Sequence, residues 1–123
     1  MPTILVVDDE PLVRKMVALI LEHEGFSVLT AESGPDAIRL SHVHPGEIDL
    51  LVSDMKMPVM DGCTLANRLQ EENPDLPVLL ISAFTENEPE AMRLKFPLLP
   101  KPFSIKSLLS QVRSLLKHPV TIG

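Results

Sequence analysis

Five positions in this chain carry side chains that could act together on a phosphoryl group: Asp8 and Asp9, Asp54, Ser82 and Lys101. Each lies at or just beyond the end of a short apolar run: Ile4-Leu5-Val6-Val7, Leu50-Leu51-Val52, Val78-Leu79-Leu80-Ile81 and Leu98-Leu99. Taken singly, these five are ordinary turn or surface residues. Their recurrence at successive run ends argues for one shared pocket holding three carboxylates, a hydroxyl and an ammonium. Carboxylates brought that close repel and raise one another's pKa, and a hard divalent cation relieves the repulsion. Mg2+ suits such a site, because it takes one or two carboxylates together with water and phosphate oxygens. A carboxylate beside the metal can attack phosphorus. Lys101 would offer a point charge, and Ser82 a hydroxyl donor, to the phosphate oxygens.

The elements that must position these groups are legible in the pattern. The runs are short, rich in Val, Ile and Leu, and apolar on both faces, as strands of a parallel sheet are when helices cover both sides. In such sheets ligands bind beyond the carboxyl ends of the strands. Between the runs lie helical stretches, giving an α/β alternation. Pro11 suits the start of a first helix, in which Val13, Met16, Val17 and Ile20 recur at helical spacing up to His23, with Gly25 closing it. A second strand is expected over 26–31, and Ser33 caps a second helix that ends at His44-Pro45-Gly46. The third strand reads as 49–53 and the third helix as 64–72, with Leu65, Ala66 and Leu69 inward. A short helix is expected over 86–95. Ser104 caps a last helix with the stripe Leu108, Leu109, Val112, Leu115 and Leu116, which ends near 118 before a short tail over 119–123.

Length and composition bound the rest. At 123 residues the chain reads as one domain, 1–123, able to bury roughly two-thirds of its unfolded surface. The net charge of −6 argues against direct nucleic-acid binding, which requires clustered Lys and Arg. Cys63 is the only cysteine, so no internal disulfide forms. No apolar run nears the ~20 residues of a membrane span, and no signal peptide or lipidation motif stands out, so a cytoplasmic setting without membrane insertion is expected. His42 and His44 read as solvent-exposed residues at a helix end. His23 and His118, also at helix ends, suit the local dipole. The methionines around Asp54 read as packing, and Glu10 as an acid beside the site, not a ligand.

Four stretches together carry a resemblance: Ile4-Leu5-Val6-Val7-Asp8-Asp9-Glu10, Ser53-Asp54-Met55-Lys56-Met57-Pro58-Val59-Met60-Asp61-Gly62, Ile81-Ser82-Ala83 and Lys101-Pro102-Phe103. The chain resembles the receiver domain of two-component response regulators. That resemblance implies a flavodoxin-like (βα)5 three-layer sandwich around a five-stranded parallel sheet of order 2-1-3-4-5. It implies that Asp54 is the phosphoacceptor, Asp9 a direct metal ligand, Asp8 a ligand through water and the Lys56 backbone carbonyl a further ligand. The metal would be Mg2+, with Mn2+ as a substitute. Ser82 would be the switch hydroxyl and Lys101 the partner of the phosphate, with a cis peptide before Pro102. Lys56 and Phe84 would flank the site and tune the lifetime of the phosphoryl group. The donor would be a histidine kinase or a histidine phosphotransfer protein, and the signal would pass to an unidentified downstream protein, with a phosphorylation-dependent homodimer as one form of output. Such a module catalyses only its own phosphotransfer and dephosphorylation and is not a dedicated enzyme.

Two features depart from that family's pattern. Leu98 stands where response regulators usually carry the Tyr or Phe that swings inward with the switch hydroxyl; Phe96, on the same strand face, is the candidate replacement. The stretch between Ser82 and Lys101 is also shorter than usual and lacks the usual Gly-Ala. These departures leave a phosphate-independent interaction module as an alternative. A phosphohydrolase of the haloacid-dehalogenase type would instead place its nucleophile in an Asp-x-Asp run on the first strand, where this chain has Asp8-Asp9.

Overall fold

Apolar residues alternating at a period of two along each strand divide between two cores, and that division builds the layers. The computed structural model describes residues 1–83 and 96–117. Within them the chain runs β1 (Thr3–Val7), α1 (Pro11–His23), β2 (Ser27–Ala31), α2 (Gly34–Val43), β3 (Leu50–Asp54), α3 (Gly62–Glu72), β4 (Val78–Ser82), β5 (Leu98–Pro100) and α4 (Ile105–Lys117). The strands form one parallel sheet in the order β2-β1-β3-β4-β5. Leu5, Val7, Leu51, Val78 and Leu80 pack on one side with Ala37 of α2 and Leu65, Ala66 and Leu69 of α3. Ile4, Val6, Leu50, Val52, Leu79, Ile81 and Leu99 pack on the other with Val17 and Leu21 of α1 and Leu108, Leu109 and Val112 of α4. The expected three-layer α/β architecture and strand order are therefore present. The short helix expected over 86–95 lies outside the described residues, as do Phe84, His118 and Pro119.

Local chemistry sets the ends of the elements. Gly25, at φ 97°, and Phe26 close α1: the Gly25 N–H donates to the Glu22 carbonyl at 2.9 Å and the Phe26 N–H to that of Leu21 at 3.1 Å. This is the double bond of a Schellman motif, and Leu21 and Phe26 pack in the same core. With its N–H so engaged, Phe26 belongs to the helix end, and β2 begins at Ser27 rather than at 26. Ser33 caps α2 by accepting from the Asp36 N–H at 3.2 Å, and Ser104 caps α4 by accepting from Ser107 at 2.9 Å. Asp61 caps α3 through Thr64 at 2.8 Å, so this helix starts at Gly62, ahead of the expected 64.

Three further expectations are corrected. The third strand is Leu50–Asp54, one residue later than read, because the Asp49 N–H donates to Thr3 outside the ladder while Asp54 pairs with Ile81. Met16 is 44% exposed although it recurs with the apolar residues of α1; at about 100° per residue it is turned a quarter-circle from the buried Val17. Phe96 is buried among Leu76, Val78 and Leu80. Leu98 pairs with Leu80, which puts Phe96 level with Val78, four residues or about 13 Å along the strand from Ser82. It therefore cannot swing in beside that hydroxyl.

The apolar stripe of α4 and the exposed apolar positions of α1 should respond differently to truncation. Leu108, fully buried, should lose roughly 2–5 kcal/mol of stability on Leu108→Ala. Leu19, 66% exposed, should change by no more than about 0.5 kcal/mol on Leu19→Ala. Urea denaturation midpoints of the two variants check this.

Candidate functional site

Four strands deliver the chemical groups at one edge of the sheet. β1 ends at Val7 and hands over to Asp8 and Asp9; β3 ends at Asp54, β4 at Ser82, and β5 is followed directly by Lys101. β1 and β3 are neighbours although β2 lies between them in sequence. Strand order reverses there, and the crevice at such a switch point is where ligands bind in open α/β sheets.

Asp8 is nearly buried, at 3% exposure, whereas Asp9 is exposed. The Asp8 N–H donates to the Ala31 carbonyl of β2 at 3.2 Å. Its Oδ1 accepts from the Glu10 N–H at 2.9 Å. Asp54 is 7% exposed and held by its neighbours: the Met55 N–H donates to Ile81 of β4 at 2.8 Å, and the Gly62 N–H donates to the Met55 carbonyl at 2.8 Å. Gly62 is needed for space, since a Cβ there would stand 2.4 Å from the Asp54 carbonyl oxygen. One carboxylate oxygen each from Asp8, Asp9 and Asp54 lies within 4.8 Å of the others, the convergence expected from the sequence.

Lys101 joins the cluster directly. Its main-chain N–H donates to the Ser82 carbonyl at 2.8 Å, which continues the β4–β5 pairing past Pro100. Its Nζ lies 2.9 Å from Asp54 Oδ1. The Lys101–Pro102 peptide is cis, as the resemblance implied. Ser82 is 2% exposed, and its Oγ has no hydrogen-bond partner among the described residues. A buried hydroxyl without a partner costs free energy. Lys56, exposed, lies two residues past Asp54 on the loop that leaves β3.

The electrostatics follow from burial. Desolvation raises the Asp8 carboxyl above its ordinary value; the Glu10 N–H bond and Lys101 oppose that rise, while Asp54 and Asp9 add to it. Desolvation likewise raises Asp54, against the bond and charge of Lys101 and with the charges of Asp9 and Glu10. For Lys101 burial pulls downward, but the Asp54 bond and the charges of Asp54, Asp8 and Glu10 outweigh it and leave the ammonium above its ordinary value. One lysine thus does not neutralise the cluster. Its donors are all hard oxygens, with no sulfur or imidazole among them, which fits Mg2+ and not a thiophilic metal. His42 near the end of α2 and His44 just past it are not brought together as ligands: His42 Nε2 faces Glu72 at 3.2 Å and His44 Nδ1 faces Glu47 at 3.1 Å.

Three features escaped the sequence reading. Val59, 91% exposed, has φ 71° while the Met60 N–H donates to the Pro58 carbonyl at 2.8 Å. That is a tight three-residue turn of the rare positive-φ kind, costly for a β-branched residue. Met60 in turn lies against Gly34 at the start of α2, where a Cβ would stand 2.5 Å from its sulfur. The third feature is Arg14, whose Nη1 donates to the Asp8 carbonyl at 2.8 Å. Val59 carried no local signal, since Pro58-Val59 is compatible with ordinary turns. Arg14 showed only as a polar residue on a helix.

Two outcomes are expected. Because the Asp8 carboxyl is raised in the folded chain, its ionised form costs stability once pH exceeds the folded value, and that cost vanishes below the ordinary value of 3.8. Asp8→Asn should therefore melt higher than the metal-free parent at pH 7 and converge with it at pH 3, as thermal melts across pH would register. Val59→Gly should gain about 1 kcal/mol by removing side-chain strain at positive φ, read from the urea midpoint.

Comparison with known proteins agrees with this geometry. Residues 4–113 match the response regulator receiver domain family. The sensor kinase CckA of Brucella abortus is 39% identical over 120 residues, covering 94% of this chain and 12% of that protein. The receiver domain of a hybrid histidine kinase CckA superposes with a TM-score of 0.81 at 36% identity, covering 94% of this chain and 99% of that one. A chain from the complex of the histidine kinase ThkA with the response regulator TrrA superposes with a TM-score of 0.81 at 30% identity, covering 95% of this chain and all of that one. The chain spans between 12% and 50% of the length of the first curated relatives it matches. With five strands in the receiver order and an acidic cluster at their carboxyl edge, the chain belongs to the response regulator receiver domain family of two-component systems.

Proposed function

We propose that this receiver accepts a phosphoryl group on Asp54 from a phosphohistidine donor and passes the change in its surface to a partner protein. The observation that carries the reading is the convergence of Asp8, Asp9 and Asp54 within 4.8 Å, with Lys101 2.9 Å from Asp54. In the proposed step an Asp54 carboxylate oxygen forms a bond to phosphorus as the P–N bond to the donor imidazole breaks, and the nitrogen keeps the electron pair. Catalysis then consists of positioning and charge neutralisation. Asp9 would hold Mg2+ directly, Asp8 through water and Lys56 through its backbone carbonyl; Mn2+ would serve in its place. When bound, the metal offsets the mutual repulsion of the carboxylates and the charge of the incoming phosphoryl group.

Lys101 would pair with the phosphoryl oxygens, exchanging part of its bond to Asp54 for them. Ser82 would donate its unpartnered hydroxyl to another oxygen, and that bond supplies the difference in free energy between the two states of the domain. The donor would be a histidine kinase or a histidine phosphotransfer protein. The recipient of the signal would be a downstream protein or a second copy of the chain. The setting would be cytoplasmic; no helix among the described residues is long and apolar enough to cross a membrane.

Intact-mass measurement after incubation with acetyl phosphate tests the reading. The parent should gain one phosphoryl group in the presence of Mg2+ and none with a chelator, while Asp54→Asn should gain none under either condition. Equal phosphorylation of Asp54→Asn would overturn the assignment of the acceptor. A parent that stays unmodified by acetyl phosphate and by a phosphohistidine donor would overturn the function.

A further inference from the structure

Arg14 presents a puzzle of sign. It is a half-buried cation on the first turn of α1, and its guanidinium donates to a main-chain oxygen of one member of the acidic cluster: Nη1 lies 2.8 Å from the carbonyl of Asp8. That oxygen stands just past the end of β1, beyond the last paired residue, Val7. The residue bearing it is held at two other points, through its N–H to Ala31 of β2 and through its Oδ1, which accepts from the Glu10 N–H. The Arg14 N–H itself donates to the Glu10 carbonyl at 3.0 Å. Both peptide units that flank Asp8 are thereby fixed, one by the sheet and one by the guanidinium.

The second of these units sets the direction in which Asp9 leaves Asp8. The two carboxylates have every electrostatic reason to turn apart, since they share a 4.8 Å cluster with Asp54, and Asp8 is raised by desolvation and by the charges of Asp54 and Asp9. Asp9 is exposed and free of the packing that confines Asp8. The backbone of the β1–α1 turn must therefore hold the pair in convergence, and Arg14 supplies the bond on its outer side.

We infer that Arg14 is a positioning residue for the divalent-cation site, its guanidinium holding the Asp8–Asp9 peptide so that both carboxylates converge on Asp54. This rests on reading the acidic cluster as a Mg2+ site. A positioning role and a simple charge effect predict opposite outcomes. A cation near a metal site repels the metal, so if charge were all, removing Arg14 would tighten binding. If Arg14 positions the carboxylates, removing it weakens binding, as losing a group that orients metal ligands does, by roughly tenfold or more.

The test is Mn2+ affinity, measured by the loss of the free-ion paramagnetic resonance signal; with no Trp or Tyr in the chain, intrinsic fluorescence offers no substitute. Arg14→Met removes charge and donor while keeping an apolar stem, and far-UV circular dichroism confirms its fold. It should bind Mn2+ roughly tenfold more weakly than the parent or worse. Arg14→Lys keeps the charge and a donor without the planar fork. It should fall between the two, and it decides the matter if the methionine variant does not fold. Parent-like or tighter binding in either variant would overturn the inference while leaving the metal site standing. A parent without measurable Mn2+ or Mg2+ binding would overturn the metal site itself, and this inference with it.

Discussion

Like charges held together at the edge of an apolar sheet are the constraint on which this structure turns. Asp8 and Asp54 are buried, and desolvation raises both. Lys101 relieves Asp54 directly at 2.9 Å yet does not cancel the three carboxylates. The folded chain thus stores an electrostatic deficit of positive charge at one point. Under the proposed function a divalent cation would satisfy the carboxylates, and a phosphoryl group would then satisfy the lysine and the Ser82 hydroxyl, which has no partner among the described residues.

The remainder of the fold can be understood as what prevents those groups from moving apart. Strands buried on both faces cannot slip register without exchanging one core for the other, because a shift of one residue turns every side chain to the opposite face. Leu5 and Val7 belong to one core and Ile4 and Val6 to the other. A slip of β3 would carry Asp54 away from Lys101 and also invert Leu50, Leu51 and Val52. The apolar sheet therefore fixes the separation of the polar groups, and stability and site geometry share one cause.

The loops make finer adjustments. Gly62 lets α3 start against the Asp54 carbonyl, closer than any side chain would permit. Val59 accepts a positive φ to turn the loop above the site, and Met60 closes it against Gly34 of α2. Strain and close packing concentrate in the segment next to Asp54, where a fold carries strain only because the surroundings over-determine it. At β5 the position held by Leu98 is aliphatic, and Phe96 is committed to the core at the far end of the strand. Under the proposed function no aromatic stands at that position of β5 to swing inward, and the hydroxyl of Ser82 and the main chain that joins it to Lys101 would carry the change.

Much of this was open to reading in one dimension. Apolar runs of period two, helix stripes, and caps at Ser33 and Ser104 are local signals, each governed by the backbone within a few residues, and they set the element order and the polar groups at the strand ends. Where a boundary was misread, as at Phe26 and Asp54, the deciding hydrogen bond was either the helix's own closing pair or a bond to another strand. What no local pattern contains is distance. That Arg14 reaches the Asp8 carbonyl, that Gly62 abuts the Asp54 carbonyl, that Phe96 packs with Val78 ahead of β5, about 13 Å short of Ser82 in the strand direction, and that Ser82 has no partner among the described residues are properties of how elements stack and pair. Residue type and spacing determined which chemistry the chain could perform; packing between elements decided which atoms meet, because contacts across layers are set by geometry that the sequence expresses only once it has folded.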